Sequence, residues 1–104
     1  MTRMDEAPTS EETVTVTVKV FGALREALGT GAREMALSPG ATLGDLLRQL
    51  GADLPELTAK LDRGLRDGYL HALVNGRNAR FLQDRETPLK LNDTVAFLPP
   101  VGGG

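Results

Sequence analysis

Cysteine is absent from this chain of 104 residues, and histidine occurs once, at His71. Without cysteine there is no disulfide, no thiolate-ligated zinc or iron–sulfur cluster, and no thiol nucleophile. A single histidine excludes metal sites built from several histidines, and we expect no bound metal or cofactor. The formal net charge of −2 gives no electrostatic indication of nucleic-acid binding. The chain is therefore poorly equipped for catalysis by its own side chains.

Long apolar segments are also missing. No run approaches the roughly 18 residues that a membrane-spanning helix needs, and no hydrophobic signal segment follows Met1. The apolar content of 40% and the charged content of 25% are ordinary for a globular domain. These features predict a single small domain in the cytoplasm.

Charge is unevenly distributed along the chain. Residues 1–12 carry four acidic side chains against Arg3, a net charge of −3, whereas the remainder has 11 basic and 10 acidic residues. The first segment also lacks a hydrophobic period, which is typical of a disordered tail. We therefore predict a disordered acidic leader over residues 1–12, a folded domain over 13–101 and a flexible glycine tail over 102–104.

The first half of the domain predicts two strands and a helix. Valines alternate with polar residues over Val14–Val20, the pattern of a half-buried strand, and a short helical turn then ends at Gly29. Arg33–Leu37 is predicted to be a second strand, antiparallel to the first. Leucines at a helical spacing then indicate the main helix, with Thr42 at its start and Gly51 at its end; they are Leu43, Leu46, Leu47 and Leu50.

The second half predicts a weaker helix and three more strands. Asp53 is the candidate cap of the weaker helix, and Arg63–Gly68 is predicted to be a loop. The three strands, separated by the turn sequences Asn-Gly and Asn-Asp, are Tyr69–Val74, Arg77–Phe81 and Thr94–Leu98. The order of elements predicts an α+β fold: a mixed sheet of four to five strands with one main helix on one face.

Few side chains outside the core point to chemistry. His71 lies in a strand without a second ligand or a nucleophile, and the carboxylates form no convincing pair. Four basic residues gather near the last hairpin: Arg77, Arg80, Arg85 and Lys90. They indicate either a solvated face or a docking surface for an acidic partner protein.

The C-terminus is the most informative segment. Pro99-Pro100 holds two successive residues in an extended conformation, and Gly102, Gly103 and Gly104 follow without side chains. A fraying end or a linker is one interpretation of such glycines. The alternative is a stiff tail whose terminal carboxylate enters a narrow channel in another protein and is itself the reactive group.

Several short segments, in a fixed order and spacing, carry a resemblance to a known family. They are Val20-Phe21-Gly22-Ala23-Leu24-Arg25-Glu26, Gly40-Ala41-Thr42-Leu43-Gly44-Asp45-Leu46-Leu47, Leu73-Val74-Asn75-Gly76-Arg77-Asn78, Thr87-Pro88-Leu89, Asn92-Asp93, Val95-Ala96-Phe97 and Leu98-Pro99-Pro100-Val101. From Val18 to Gly104 the chain resembles the ubiquitin-like sulfur carriers of β-grasp fold. Within that family it resembles the small subunit of molybdopterin synthase (MoaD type), in an archaeal-like branch that includes small archaeal ubiquitin-like modifiers.

The resemblance implies a function centred on Gly104. A ubiquitin-activating-type adenylating enzyme would use ATP to adenylate the Gly104 carboxylate, and a sulfur donor protein would convert it into a thiocarboxylate. The tail, with Gly102 and Gly103, would enter the large subunit of molybdopterin synthase and deliver sulfur for molybdenum or tungsten cofactor biosynthesis. The resemblance also implies partner contacts at Phe21, Leu98, Pro99 and Pro100, and a contact of Arg25 with the activating enzyme.

Other functions remain open from the sequence. The same activated carboxylate could join target lysines, as in a ubiquitin-like modifier, or carry sulfur for thiamine, cysteine or tRNA thiolation. A β-grasp interaction module with incidental glycines is a third possibility. For Phe21 and Leu98, packing in the core is the alternative to partner contact.

Overall fold

The computed structural model describes residues 13–22 and 24–98. Its helices and strands, in chain order, are β1 (Val14–Val20), α1 (Leu24–Leu28), β2 (Ala32–Leu37), α2 (Leu43–Asp53), α3 (Pro55–Asp67), β3 (His71–Val74), β4 (Arg77–Asn78) and β5 (Thr94–Leu98). Two 3₁₀ turns, Ala79–Phe81 and Asp84–Glu86, lie between β4 and β5.

The five strands form one mixed sheet in the order β2-β1-β5-β3-β4. The central pair, β1 and β5, is parallel and brings Val20 beside Phe97, whereas the other neighbours are antiparallel. Over residues 13–22 and 24–98, the last strand is therefore inserted beside the first. The predicted α+β class and mixed sheet are confirmed.

The core lies between the sheet and the helices. Alternate residues of β1 are buried at Val16, Val18 and Val20, as the period of two predicts. They pack with Phe97 of β5 and with the leucines of α2 in one cluster. The opposite face of the sheet has no helix from the described part of the chain and carries mainly small and polar residues.

The start of α2 agrees with the sequence prediction, but its end does not. The Thr42 hydroxyl accepts from the Asp45 N–H, and the Asp45 carboxylate accepts from the Thr42 N–H at 2.9 Å, which forms a capping box. The helix continues past Gly51 to Asp53, so the predicted stop at Gly51 is wrong. Asp53 does not cap α3 but accepts a 2.7 Å bond from the Arg33 guanidinium.

The third helix is longer than the sequence analysis predicts. The helix α3 has 13 residues, whereas α2 has 11. The predicted loop over Arg63–Gly68 is wrong, because all of these residues except Gly68 are helical. The helix continues because buried Gly64 packs on Leu70, and it ends where Gly68 adopts a left-handed φ of 85°. Two long helices therefore belong to the helical layer.

The second hairpin is confirmed at its turn and corrected at its return strand. Asn75 and Gly76 have φ of 52° and 84°, as a two-residue hairpin turn requires. The return strand β4 ends at Asn78, not at Phe81. There the Asn78 side chain accepts from the Arg80 N–H at 2.9 Å and starts a 3₁₀ turn.

Two glycines of the helices allow a paired test of packing. A Cβ at Gly64 would lie 2.6–2.7 Å from Leu70 side-chain carbons, whereas a Cβ at Gly51 would contact Thr58 at 3.4 Å. We expect Gly64→Ala to lower the free energy of unfolding by about 1 kcal/mol, after the gain in helix propensity is subtracted. We expect Gly51→Ala to raise it by about 0.5–1 kcal/mol. Urea denaturation measures both changes.

The control for this pair is the variant Leu70→Ala. In that background the contacts at 2.6 and 2.7 Å are removed and the Cβ of residue 70 remains at 3.2 Å, so Gly64→Ala should cost clearly less than in the wild-type chain. If Gly64→Ala costs the same with and without Leu70, close packing of α3 on Leu70 is not the reason for the glycine.

Candidate functional site at the tail end of the sheet

One end of the sheet, which we call the tail end, gathers the predicted contact residues. Because β1 and β5 run parallel with Val20 opposite Phe97, the next residues, Phe21 and Leu98, lie side by side. Leu98 is the last described residue before the C-terminal tail. Phe21 is 45% exposed and lies outside the core, so the alternative of core packing is wrong for it. Leu98 is half-buried.

Arg25 lies beside Phe21 at the same end. Its N–H donates to the Gly22 carbonyl at 3.1 Å at the start of α1. Its guanidinium lies over Gly31, where a Cβ would be 3.3 Å from Arg25 Nε. The Gly31 carbonyl in turn accepts from the Val20 N–H. The end of β1, α1 and the loop before β2 therefore hold an exposed cation at the tail end of the sheet.

His71 also belongs to the tail end, a position that no local sequence pattern predicts. It is the direct cross-strand partner of Leu98. Cross-strand partners share a face of the sheet, so both side chains lie on the face opposite the buried Phe97 and Ala72. The alternation of apolar and polar residues within β3 does not predict that His71 lies beside Leu98. The pairing register of β3 with β5 shows it.

The turn before β5 contains a residue with left-handed backbone. Asn92 adopts a φ of 70°, a conformation that asparagine tolerates better than most residues. The side-chain amide of Asn75 makes two hydrogen bonds to this segment. Its NH₂ group donates to the Asp93 carboxylate at 2.8 Å, and its oxygen accepts from the Thr94 N–H at 2.9 Å. The two turns are thereby fastened together, which fixes the start of the strand that leads to the tail.

Several predicted features lie outside the described residues. They are the acidic leader over residues 1–12, Pro99, Pro100, Gly102, Gly103 and Gly104. Ala23, within one of the family segments, is outside as well.

Two negative findings apply to the part of the chain that is described. There, no three histidine, cysteine or acidic side chains are grouped so that they could hold a metal ion. None of the helices over residues 13–22 and 24–98 combines the length and apolar character needed to cross a bilayer.

Comparison with known proteins identifies the family. The sequence model of the ThiS family matches residues 18–104, which include the tail end and the terminal glycines. The chain belongs to the ThiS family. This family membership confirms the resemblance to ubiquitin-like sulfur carriers and modifiers that the sequence motifs indicate.

Individual members of the ThiS family agree in fold and extent. Small archaeal modifier protein 3 of Haloferax volcanii is 33% identical over 91 residues, 84% of this chain and 96% of its own length. The solution structure of small archaeal modifier protein 1 from Methanosarcina acetivorans is 35% identical, with a TM-score of 0.70 over 88% of this chain and 98% of its own. The β-grasp fold is therefore shown.

Two further solved structures broaden the range of functions among similar proteins. A Pyrococcus furiosus protein, provisionally named molybdopterin converting factor subunit 1, is 28% identical with a TM-score of 0.67, over 85% of this chain and 99% of its own. A chain in the BexX/CysO complex of Amycolatopsis orientalis is 26% identical with a TM-score of 0.69, over 86% of this chain and 99% of its own length. The family is thus shared by modifiers, a molybdopterin-related subunit and a protein found in a complex.

Proposed function

We propose that this protein is a sulfur carrier whose reactive group is the carboxylate of Gly104. The observation that supports this most strongly is the ThiS-family match, which extends to the last residue of the chain. The fold supports the proposal, because β5 is inserted beside β1 and ends at Leu98, the last described residue before the glycines. In this proposal the protein is a substrate of other enzymes and a subunit of a sulfurtransferase.

The proposed chemistry activates a poor electrophile. The Gly104 carboxylate attacks the α-phosphorus of ATP on an adenylating enzyme, which forms the acyl-adenylate and releases pyrophosphate. Hydrosulfide supplied by a donor protein then attacks the carbonyl carbon, the C–O bond to AMP breaks and AMP leaves, and loss of the sulfur-bound proton gives the thiocarboxylate. Because water would hydrolyse the acyl-adenylate, the tail with Gly102 and Gly103 has to react in a channel that excludes water.

For the acceptor we propose the large subunit of molybdopterin synthase, in molybdenum or tungsten cofactor biosynthesis. The similarity to the Pyrococcus furiosus protein and the Pro99-Pro100-Val101 segment support this pathway. In this scheme the described residues Phe21, Arg25 and Leu98 contact partner proteins, together with Pro99 and Pro100.

A second candidate function is protein modification. The similarity to two small archaeal modifier proteins favours it, at 33% and 35% identity. The same acyl-adenylate would then be attacked by a lysine amine, which forms an isopeptide bond with loss of AMP. Both functions use one activated carboxylate and differ only in the nucleophile.

Deletion of the gene in the native host separates the two functions. The carrier proposal predicts that molybdopterin content falls and that wild-type protein restores it, whereas a variant lacking Gly104 does not. The modifier proposal predicts glycine remnants on lysines of other proteins that disappear on deletion. Normal molybdopterin content in the deletion strain would contradict the proposed acceptor.

The tail-end contacts can be tested separately from sulfur transfer. We expect Phe21→Ser to weaken binding to the adenylating enzyme of the host by about 30-fold, as for a buried aromatic hot spot. The matched control is Leu91→Ser, because Leu91 is 59% exposed and lies in the turn at the opposite end of β5. Titration calorimetry measures both affinities. Equal affinities of the two variants would show that Phe21 is not part of the interface.

A further inference from the structure

A groove at the edge of the sheet, which we call the arginine groove, is not used by the proposed function. Its volume is about 300 Å³, and it lies between the end of α3, the start of β3 and the two 3₁₀ turns. Three arginines line it, Arg66, Arg80 and Arg85, together with Asp84 and His71. The apolar part of the lining comes from Leu65, near the end of α3, and Leu70, which directly precedes β3.

Two of the three groove arginines are held by one aspartate, and their charges are only partly neutralised. Arg66 donates to Asp62 at 2.7 Å, and Arg85 pairs with the other oxygen of the same carboxylate. Two guanidinium groups thus share one negative charge, and each keeps N–H donors that Asp62 does not use. Arg80 is exposed and has no ion pair with any side chain over residues 13–22 and 24–98.

The charge balance of the groove is positive. Its three arginines against Asp62 and Asp84 leave a net charge of +1, and exposed Arg77 lies on the adjoining strand β4. Guanidinium forks match carboxylates in geometry as well as in charge. An anionic ligand that carries carboxylates is therefore complementary to this edge of the sheet.

An exposed aromatic residue that directly follows Arg80 of the groove in the chain narrows the chemistry of the ligand. Phe81 is 82% exposed, immediately after Arg80 and in the same 3₁₀ turn. The turn is held by the bond from the Arg80 N–H to the Asn78 side chain, so Phe81 is presented on a fixed backbone. Cationic and apolar surfaces side by side fit a protein segment that combines acidic and apolar residues better than they fit a small inorganic anion.

The groove is continuous with the tail end of the sheet. His71 lines the groove and is also the cross-strand partner of Leu98, so the two surfaces are one strand apart. Neighbouring strands are about 5 Å apart. A partner that holds the tail can therefore reach the arginine groove with an adjacent segment.

We propose that the arginine groove is a docking site for an acidic segment of a partner protein, with carboxylates at Arg66, Arg80 and Arg85 and an apolar side chain against Phe81. This site is separate from the reactive tail. It does not depend on whether Gly104 carries sulfur or joins lysines.

An NMR titration of the full chain tests this site. The probe is a short acetylated peptide of aspartate, glutamate and leucine, and the control peptide has asparagine and glutamine in place of the acids. We expect saturable amide shifts confined to residues 65–72 and 78–85, which weaken as salt screens the charges. Arg80→Glu should weaken binding at least about 10-fold, and Phe81→Ser should weaken it as well. The matched control Arg63→Glu, on the exposed side of α3, should change it less than about 2-fold.

Four outcomes would overturn the proposal. Shifts spread over all basic residues, or equal effects of Arg80→Glu and Arg63→Glu, would show unspecific attraction. Competition by inorganic phosphate at concentrations similar to those of the peptide would assign the groove to small anions. Peptide binding that occurs only after removal of residues 1–12 would assign it to the acidic leader of the chain. Because Arg80 and Phe81 are exposed, unchanged amide spectra of the free variants will show that folding is intact.

Discussion

Gly103→Leu is expected to leave the fold unchanged and to lower sulfur transfer by at least about 100-fold. In the proposed mechanism the last residues thread a narrow, water-free channel, and a leucine side chain would displace the Gly104 carbonyl from the reacting groups. The measurement is the rate of thiocarboxylate formation and of sulfur delivery with the enzymes of the native host. Thermal unfolding of the same variant should match the wild-type protein, since residue 103 follows the end of β5 by five residues in the sequence.

The control for this substitution adds the same bulk elsewhere. Ala59→Leu is suitable, because Ala59 is exposed on α3 and distant in sequence from the tail. It should transfer sulfur at the wild-type rate. If Gly103→Leu transferred sulfur as fast as Ala59→Leu, the tail would not pass through a narrow channel.

Phe97→Ala is expected to lower the free energy of unfolding by about 3–5 kcal/mol. Phe97 is fully buried in the central strand β5, between Val20 of β1 and Ala72 of β3. Removal of the ring would leave a cavity between the sheet and the helices. Since small domains are stable by only about 5–15 kcal/mol, a large part of the stability would be lost. Urea denaturation at constant m value measures the change.

An exposed apolar side chain provides the matched control for Phe97. Leu91→Ala removes side-chain atoms at a position that is 59% exposed, and should change stability by less than about 0.5 kcal/mol. A loss of less than about 1 kcal/mol for Phe97→Ala would contradict the placement of β5 in the centre of the sheet.

The elements that were predicted correctly are those whose signals are local. The alternating valines of β1, the leucines and capping box of α2 and the Asn-Gly turn each lie within a few residues, and the structure confirms them. The end of α3 was missed because its outer residues are charged and Gly64 suggests a break. Leu57, Leu61 and Leu65 do continue at a spacing of four, and this signal could have extended the helix to its observed end.

The candidate site was only partly predictable, since it depends on contacts between distant strands. Phe21 and Leu98 were selected from the family resemblance, and the parallel pairing of β1 with β5 places them together. His71 has no ligand or nucleophile near it in sequence and is therefore not predicted as a site residue, whereas the β3–β5 register brings it beside Leu98. The arginine groove likewise requires Asp62 of α3 to meet Arg85, 23 residues later.

The absence of cysteine has a different meaning in this account than it has for an enzyme. The protein offers no thiol of its own, and sulfur would be carried on the backbone carboxyl of the last residue. A chain without thiols also has no internal thiolate that could attack its own activated C-terminus.

The central claim, that Gly104 carries sulfur, is tested most directly by the mass of the C-terminal peptide of protein isolated from the native host. The account predicts a fraction of this peptide with one carboxyl oxygen replaced by sulfur. That fraction should be lost from Gly103→Leu and retained in Ala59→Leu. A C-terminal peptide that is always the unmodified carboxylate, even when the adenylating enzyme and sulfur donor are overproduced, would contradict it.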